Sequence, residues 1–239
     1  MGTPVQKDQL CTAAFTGLGH AGEGVGRVDG FTVFVPYVLP EEAAEIRITE
    51  VKKNFARGRL HRITQESPHR VTPRCPIFHQ CGGCQLQHMD YPHQLAVKRQ
   101  TVVDNLTRVG HLEGVTVHPT LGMDNPWYYR NKAQIPFSVQ NGVVVAGFYA
   151  QASHEIINLD VCYIQHPISD RVLRHLRQAV RTLGISVYDE RTGKGMLRHC
   201  LIKIGRDGEE AMCVLITNGD QLPHAQELIA ELREAVPQL

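Results

Sequence analysis

The stretch Phe31-Thr-Val-Phe-Val35 places its two valines on one face of an extended chain and its polar and aromatic neighbours on the other. The same alternation recurs in Glu45-Ile-Arg-Ile-Thr49, and a third run rich in β-branched residues extends from Phe55 to Ile63. Period-two alternation is typical of strands with one buried face, and the glycines and prolines between these runs mark turns. Short strands at this spacing predict a small, OB-like β-barrel at the start of the chain.

Size, charge and hydrophobicity exclude several classes of protein. The chain has 239 residues, of which 42% are hydrophobic, which is enough for two domains with buried cores. No apolar run approaches the ~20 residues that a membrane-spanning helix needs, and the first ten residues lack the apolar core of an export signal. The formal net charge is only +1, so a nucleic-acid partner has to be argued from local clusters of cations. We expect a soluble, cytoplasmic protein that does not bind membranes.

The sequence after residue 66 predicts a mixed α and β domain. A stretch rich in proline and basic residues, Ser67-Pro-His-Arg-Val-Thr-Pro-Arg74, separates it from the barrel. Apolar spacing predicts helices over 91–109, 169–183 and 222–235, the first of them amphipathic, with Asp90 as N-cap and Gly110 at its end. Asn141-Gly142 and Asp207-Gly208 lie between apolar runs and predict two β-hairpins. The expected organisation is a barrel over 1–66 followed by an α+β central domain over 67–239.

Three of the seven cysteines crowd into Cys75-Pro-Ile-Phe-His-Gln-Cys81-Gly-Gly-Cys84. An odd number of cysteines without an export signal favours metal binding over disulfides. Cys162, in a loop before the second helix, is the candidate fourth ligand, because iron-sulfur clusters are held by four thiolates. Structural zinc is the alternative, with His79 or His88 as competing fourth ligands. Spacing alone favours a zinc ion and an iron-sulfur cluster about equally. The five-residue gap between Cys75 and Cys81 modestly favours the cluster.

Radical enzymes that use S-adenosylmethionine need Cys-x3-Cys-x2-Cys and leave one iron open for that cofactor. The first spacing in this chain is different and a fourth cysteine is available, so we expect a structural or regulatory cluster loop. The cysteines outside this set have no neighbouring histidine or acid motif and are predicted to be small core residues, namely Cys11, Cys200 and Cys213.

A dinucleotide-binding fingerprint is matched by letter in Gly17-Leu-Gly19-His-Ala-Gly22. The third glycine of that motif has to open a helix whose N-terminus faces a pyrophosphate. Two further glycines follow within Glu23-Gly24-Val25-Gly26 and would break such a helix. Glycine bends within the predicted barrel are therefore the better interpretation.

Cations concentrate at the end of the barrel and at two places in the second region. Between Ile46 and Arg62 six basic residues face one acid, Glu50, and an aromatic ring is available for stacking on bases. A solvated charged surface is the alternative interpretation. Segments 128–132 and 197–199 add cations beside aromatic or imidazole rings. The residues predicted to contact RNA are Lys52, Lys53, Phe55, Arg57, Arg59, Arg130, Lys132, Arg198 and His199.

Taken in order, these motifs resemble two known families. The barrel resembles a TRAM domain, the small RNA-binding barrel of several RNA-modifying enzymes, in Gly22-Glu-Gly-Val-Gly-Arg27, Phe31-Thr-Val-Phe-Val-Pro36 and Val51-Lys-Lys-Asn-Phe-Ala-Arg-Gly58. Almost the whole chain is similar to the bacterial RNA uracil-C5 methyltransferases that modify 23S ribosomal RNA, in Cys75 to His88, Tyr129 to Lys132, Gly147 to Tyr149 with Ser153-His154, and Cys162 with Ile164-Gln-His166. The chain departs from that family at Tyr37 and Glu41, where glycine is usual.

The resemblance implies a 4Fe-4S cluster on Cys75, Cys81, Cys84 and Cys162, and so favours the cluster over zinc. It also implies the chemistry of the family, in which a cysteine thiolate adds to C6 of uracil, C5 takes a methyl group from S-adenosylmethionine, and a base removes the C5 proton. Family members carry those groups in a further, Rossmann-like domain. We expect that domain to be missing from this chain, so that the chain holds no catalytic or S-adenosylmethionine-binding residue and is inactive alone.

The expected function is therefore that of the N-terminal part of an enzyme that forms 5-methyluridine in 23S ribosomal RNA. This part would bind the RNA, carry the cluster and be monomeric. A free-standing RNA-binding iron-sulfur protein without catalytic activity is the alternative. An electron carrier is disfavoured, because the ferredoxin spacing Cys-x2-Cys-x2-Cys is absent.

Overall fold

The computed structural model describes residues 3–239, which form two compact units. The first unit contains residues 3–79 and 84–122, and the second contains residues 80–83 and 123–239. The first unit extends past residue 66, where the sequence analysis placed the domain boundary. The reason is that side chains beyond residue 66 contact the barrel loop before residue 43. Arg70 donates a hydrogen bond to Glu42, and the ring of Phe78 packs against that of Tyr37.

A closed five-stranded barrel forms the base of the first unit. Its strands are β1 (Leu10–Leu18), β2 (Gly24–Val28), β3 (Phe31–Val35), β4 (Ala43–Val51) and β5 (Phe55–Gln65). Their order around the barrel is β1-β2-β3-β5-β4, with β3 and β5 parallel and the other neighbours antiparallel. The alternation that predicted these strands is confirmed, since the side chains that it assigned to the inner face are fully buried, namely Val33, Val35, Ile46 and Ile48.

The glycine-rich stretch 17–26 belongs to the hairpin between β1 and β2 and opens no helix. Gly22 has φ +81°, a left-handed conformation that suits glycine. On β2, a Cβ at Gly24 or Gly26 would lie 2.6 Å from a backbone carbonyl oxygen, that of Val38 or Ala14 respectively. The interpretation of the fingerprint as barrel bends is confirmed, because close backbone packing explains these glycines.

A buried ion pair fastens the segment after the barrel to the barrel itself. The carboxylate of Glu42 accepts hydrogen bonds from Nε and Nη2 of Arg70 and from the backbone N–H groups of Leu39 and Ser67, the last two at 2.8 and 3.3 Å. Arg70 also donates to the carbonyl oxygen of Tyr37 at 2.8 Å. Burial acts to raise the pKa of Glu42, but the hydrogen bonds, led by that of Arg70, outweigh it and the pKa is lowered. The pair therefore stays charged in the interior.

The first helix begins where the sequence predicts it. It comprises α1 (Tyr91–Asp104) and a π-helical turn, Asn105–Val109, that ends at Gly110. Asp90 is its N-cap, since Oδ1 accepts a hydrogen bond from the backbone N–H of His93 at 2.9 Å.

The predicted amphipathic burial of this helix is wrong. No residue of α1 or of the π-helical turn is buried by the part of the chain that the structure describes. Val102 and Val109 are 48% and 75% exposed. Helical spacing of apolar residues thus predicts the helix but not its packing, because burial depends on which other element covers that face.

The second unit is a five-stranded antiparallel sheet with two helices. Its elements are β6 (Lys132–Gln140), β7 (Val143–Tyr149), β8 (Ile156–Asn158), α2 (Pro167–Thr182), β9 (Leu197–Ile204), β10 (Ala211–Thr217) and α3 (Ala225–Ala235), with sheet order β10-β9-β6-β7-β8. Both hairpins are confirmed, as β6 pairs with β7 and β9 with β10. Asn141 and Gly142 have φ of 52° and 76°, as a two-residue type I′ turn requires.

Helix α2 packs on the sheet and α3 packs on α2. The apolar positions that predicted α2 are buried, namely Val172, Leu176, Ala179 and Val180. The α+β class predicted for this region is thereby confirmed. Among residues 3–239 the helices are all too short or too polar to cross a lipid bilayer.

Replacing Arg70 by alanine should destabilise the first unit by about 3–5 kcal/mol, because it leaves a buried carboxylate without its cation. Native-state hydrogen exchange of the buried barrel amides measures this locally. The matched control is Arg62→Ala, which removes an arginine from the exposed pair with Glu45 and should have a much smaller effect. Equal effects of the two substitutions would contradict a special role for burial.

Candidate functional site

The outer face of β3, β5 and β4 brings aromatic rings and arginines together. The register places Phe34 opposite Arg57 and Arg47 opposite Arg59. The rings of Phe34 and Phe55 meet edge to face with centroids 5.5 Å apart, and the guanidinium carbon of Arg57 lies 5.9 Å from the centroid of Phe55. The predicted residues Phe55, Arg57 and Arg59 therefore share one continuous surface, which we call the barrel surface together with Phe34 and Arg47.

Acidic neighbours neutralise only part of the positive charge on this side of the barrel. Glu50 pairs with Lys52 at 2.5 Å and lies 3.7 Å from Arg57. The more distant cations Lys53 and Arg59 form no ion pair within residues 3–239 and are exposed. Unpaired cations beside exposed aromatic edges are suited to phosphates and bases.

The sequence analysis did not count the acid Glu45 as a partner of these cations. Glu45 lies just outside the stretch counted there, and its carboxylate accepts two hydrogen bonds from Arg62, at 2.6 and 2.9 Å. The guanidinium of Arg62 is therefore already occupied. Cross-strand register decides this pairing, because Glu45 on β4 lies opposite Arg62 on β5.

Two of the predicted RNA contacts of the second unit, Arg198 and His199, are only partly accessible. Arg198 and His199 are successive residues of β9, and the pairing with β10 shifts register at this point, since Leu197 lies opposite Thr217 and His199 opposite Ile216, so simple alternation does not assign their faces. Arg198 lies over the ring of Tyr188 at 4.4 Å, and its Nε is buried without a hydrogen-bond partner among the described residues. His199 is half-buried, and burial first, then the charge of Arg198, lowers its pKa.

Lys132 gains a neighbour that the sequence analysis missed. The register of β6 and β9 places Lys132 opposite Lys203, and both are exposed. Alternation within Leu201-Ile-Lys-Ile204 predicts that Lys203 faces solvent, but its position opposite Lys132 depends on the strand pairing. The exposed side chain of Arg130 lies just before β6, where its backbone N–H donates to Ile164 at 2.8 Å.

Two cysteines of the predicted cluster belong to the first unit. Cys75 and Cys84 are both half-buried. Burial raises the pKa of the Cys75 thiol, and proximity to Cys84 raises it further.

The other two predicted ligands belong to the second unit. Cys81 pairs with Ala150, and its sulfur accepts the N–H of Gly83 at 3.4 Å. Cys162 is buried, and its backbone N–H donates to both carboxylate oxygens of Asp170 at 3.1 and 3.2 Å. Burial raises the pKa of Asp170 to about 6, although the hydrogen bond from Cys162 opposes this shift. The assignment of all four cysteines to one cluster stays a prediction.

The remaining cysteines differ in burial. Cys200 is fully buried, and burial raises the pKa of its thiol well above the usual range. Burial also raises the pKa of Cys213 to about 11 and, to a lesser extent, that of Cys11, and both residues are half-buried. A raised thiol pKa leaves little thiolate at neutral pH, so none of the three is a good nucleophile.

His88, an alternative metal ligand in the sequence analysis, lies fully buried in the first unit. Its ring centroid lies 5.4 Å from that of Phe78 and 6.2 Å from that of Tyr37. Within the described residues neither ring nitrogen has a hydrogen-bond partner. Burial, and then the charge of Arg70, lowers the pKa of His88 to about 4. The imidazole is therefore neutral at physiological pH.

Known proteins match this chain in two ways. Residues 5–61 match the model of the TRAM domain family. Proteins of Halalkalibacterium halodurans and Bacillus cereus, both named as uncharacterised RNA methyltransferases, are 45% identical over 234 residues and 44% identical over 239 residues, respectively. These alignments cover 98% and 100% of this chain, but 51% and 52% of the relatives.

A solved structure resembles the fold as well. It is the tRNA (uracil-54, C5)-methyltransferase of Pyrococcus abyssi in complex with S-adenosyl-L-homocysteine, which is 25% identical and superposes with a TM-score of 0.64. The match covers 91% of this chain and 48% of that one. The chain thus spans about half the length of the relatives that it matches.

The N-terminal barrel is a TRAM domain. Almost the whole chain is similar to proteins named as RNA methyltransferases.

Acidification should destabilise the protein through His88. The unfolded chain takes up a proton near pH 6.5, whereas the folded chain resists protonation until about pH 4, so the stability present above pH 6.5 is lost between these values. Relative to His88→Phe, the wild type should lose up to about 3 kcal/mol over this range. Urea unfolding at several pH values measures the difference, with exposed His118→Phe as the control. Parallel pH curves for wild type and His88→Phe would refute the linkage.

Proposed function

We propose that this chain is the RNA-binding part of an RNA uracil-C5 methyltransferase that uses S-adenosylmethionine. The observation that carries the proposal is the barrel surface, where aromatic rings and arginines lie side by side on a TRAM domain. The name of the Pyrococcus relative supports both the uracil C5 position and the cofactor. Because the chain spans about half of its relatives, methyl transfer is proposed for the whole protein.

The barrel surface binds a single-stranded or splayed segment of RNA in this proposal. Stacking of a base on an aromatic side chain contributes about 1–3 kcal/mol, and the half-buried rings of Phe34 and Phe55 leave part of their surface accessible. Arg47, Arg57 and Arg59 follow one another across two strands and neutralise phosphates of the backbone. Unstacking of the RNA then helps to present a uracil to the methyl-transferring groups.

The proposed substrate is 23S ribosomal RNA, which is what the resemblance to the bacterial uracil-C5 methyltransferases implies. The Pyrococcus relative is named for a tRNA uracil, so the two RNA classes have to be compared directly. We also propose that the protein is a monomer, as the sequence analysis expects. The expectation that the S-adenosylmethionine site lies outside residues 1–239 stays a prediction, and methyl transfer to uridine by this chain alone would overturn it.

We also propose that Cys75, Cys81, Cys84 and Cys162 hold a 4Fe-4S cluster. Support comes from the donor set, because four thiolates are the usual ligands of such clusters. Further support comes from the tight backbone at Gly82, whose N–H donates to the carbonyl of Tyr149 at 2.9 Å and where a Cβ would lie 3.1 Å from that oxygen. When bound, the cluster would hold the cysteine loop in place.

Substituting Lys53, Arg57 and Arg59 by glutamine should weaken RNA binding and flatten its salt dependence. Each lost phosphate contact with a single strand lowers the slope of log K against log salt by about 0.7. Binding of 23S rRNA and tRNA fragments at several salt concentrations measures this slope. The control is Arg62→Gln on the same strand, which should change it less because Glu45 already holds Arg62.

If the slope of log K against log salt is unchanged in the triple variant, the barrel surface is a solvated charged face and not an RNA-binding site. Equal binding of every RNA tested would leave RNA binding intact but overturn the choice of 23S ribosomal RNA.

Anaerobically purified protein should contain about four irons and four sulfides per chain. Cys162→Ala should lose or destabilise them, because one of four ligands is gone. Iron, sulfide and zinc analysis provides the measurement, and Cys213→Ala, outside the ligand set, is the matched control. One zinc without sulfide would overturn the cluster and restore the zinc interpretation.

A further inference from the structure

Three potential metal ligands converge in the first unit, apart from the cysteines. They are Glu41, His69 and His93, and one ligand atom from each lies within 4.8 Å of the other two. Glu41 lies between β3 and β4, His69 follows the barrel, and His93 lies in the first turn of α1. We propose that these three side chains form a binding site for a divalent transition-metal ion of the type represented by Zn²⁺.

Asp90 orients the ring of His69 and fixes the backbone of His93. Its Oδ2 lies 2.8 Å from Nδ1 of His69, and its Oδ1 accepts the backbone N–H of His93 at 2.9 Å. A carboxylate bonded to one ring nitrogen fixes the proton there and leaves the other nitrogen, Nε2 of His69, free to bind a metal. Carboxylate–histidine pairs of this kind orient many metal ligands in proteins.

The two imidazoles are already side by side. The rings of His69 and His93 are stacked, with centroids 3.7 Å apart and planes inclined by 8°. Both can donate to one ion after a modest rotation about χ2, a torsion with a broad minimum. Glu41 is exposed and the histidines are half-buried, so an ion and a completing water molecule reach the site from solvent.

The backbone of Glu41 offers a way to separate metal binding from stability. Its φ is +68°, a left-handed conformation that is uncommon for residues other than glycine and raises the free energy of the fold. Glycine would adopt this turn without that strain. The carboxylate of Glu41 at this position lies within reach of two imidazoles.

The donor set favours zinc and similar ions over calcium or magnesium. Two imidazoles and one carboxylate suit Zn²⁺, Co²⁺ or Ni²⁺, whereas Ca²⁺ and Mg²⁺ prefer oxygen ligands alone. Three protein ligands leave the fourth tetrahedral position to water. Such an ion would tie a barrel loop, the segment after the barrel and the start of α1 together. The proposal concerns the first unit and is independent of methyl transfer.

The test is a Zn²⁺ titration of the full chain with selectively ¹⁵N-labelled histidine. The ring nitrogen resonances of His69 and His93 should shift, and calorimetry should find one zinc ion per chain bound in addition to the proposed cluster. His93→Ala should lose that ion. Exposed His118→Ala is the control and should bind zinc as the wild type does.

Two variants separate metal binding from folding. Asp90→Asn keeps an oxygen that can cap α1, yet should weaken zinc binding about 10- to 100-fold because it no longer orients His69 as a carboxylate does. Glu41→Gly relieves the left-handed strain, so it should raise the melting temperature without metal while weakening zinc binding. Equal zinc stoichiometry and affinity in wild type, His93→Ala and Glu41→Gly would overturn the proposal.

Discussion

The first unit depends on the buried carboxylate of Glu42. A charge in the interior is tolerated only when it is paired and its lone pairs are satisfied, and Glu42 meets this condition through Arg70 and the backbone of Leu39 and Ser67. Because the donors come from both sides of the carboxylate, the loop before β4 and the segment after β5 are held together. Arg70 extends the contact to the carbonyl of Tyr37.

That constraint also organises the surroundings of the cysteine loop. Tyr37, fixed beside Arg70, contacts the rings of Phe78, His79 and His88 with centroids 4.9 to 6.2 Å apart. Phe78 and His79 lie between Cys75 and Cys81 in the sequence, so an aromatic core and an ion pair hold the start of the cysteine motif against the barrel. The barrel surface is separate from this core, since strand alternation sends Arg57 and Arg59 outward and Ala56 inward. Substitutions on that surface therefore leave the core intact.

Much of the fold could be predicted from local pattern. The barrel strands, both hairpins and helix α2 follow from alternation, turn residues and helical spacing, which are properties of neighbouring residues. Packing could not be predicted in this way. Helix α1 has its predicted cap, but Val102 and Val109 stay exposed because no described element covers them. Likewise, the register shift at Arg198, between Leu197 and His199 of β9, could not be predicted from alternation.

The sequence by itself determined that a β-barrel is followed by an α+β region. It also determined the clustering of the cysteines and the resemblance to RNA methyltransferases, because each of these features depends on residue type and short spacing. Only the tertiary structure decided which charges remain available. It paired Arg62 with Glu45, placed Lys132 opposite Lys203 and brought Glu41 to His69 and His93. The physical reason is that such pairs form between segments distant in the chain, and strand register and loop packing set their distances.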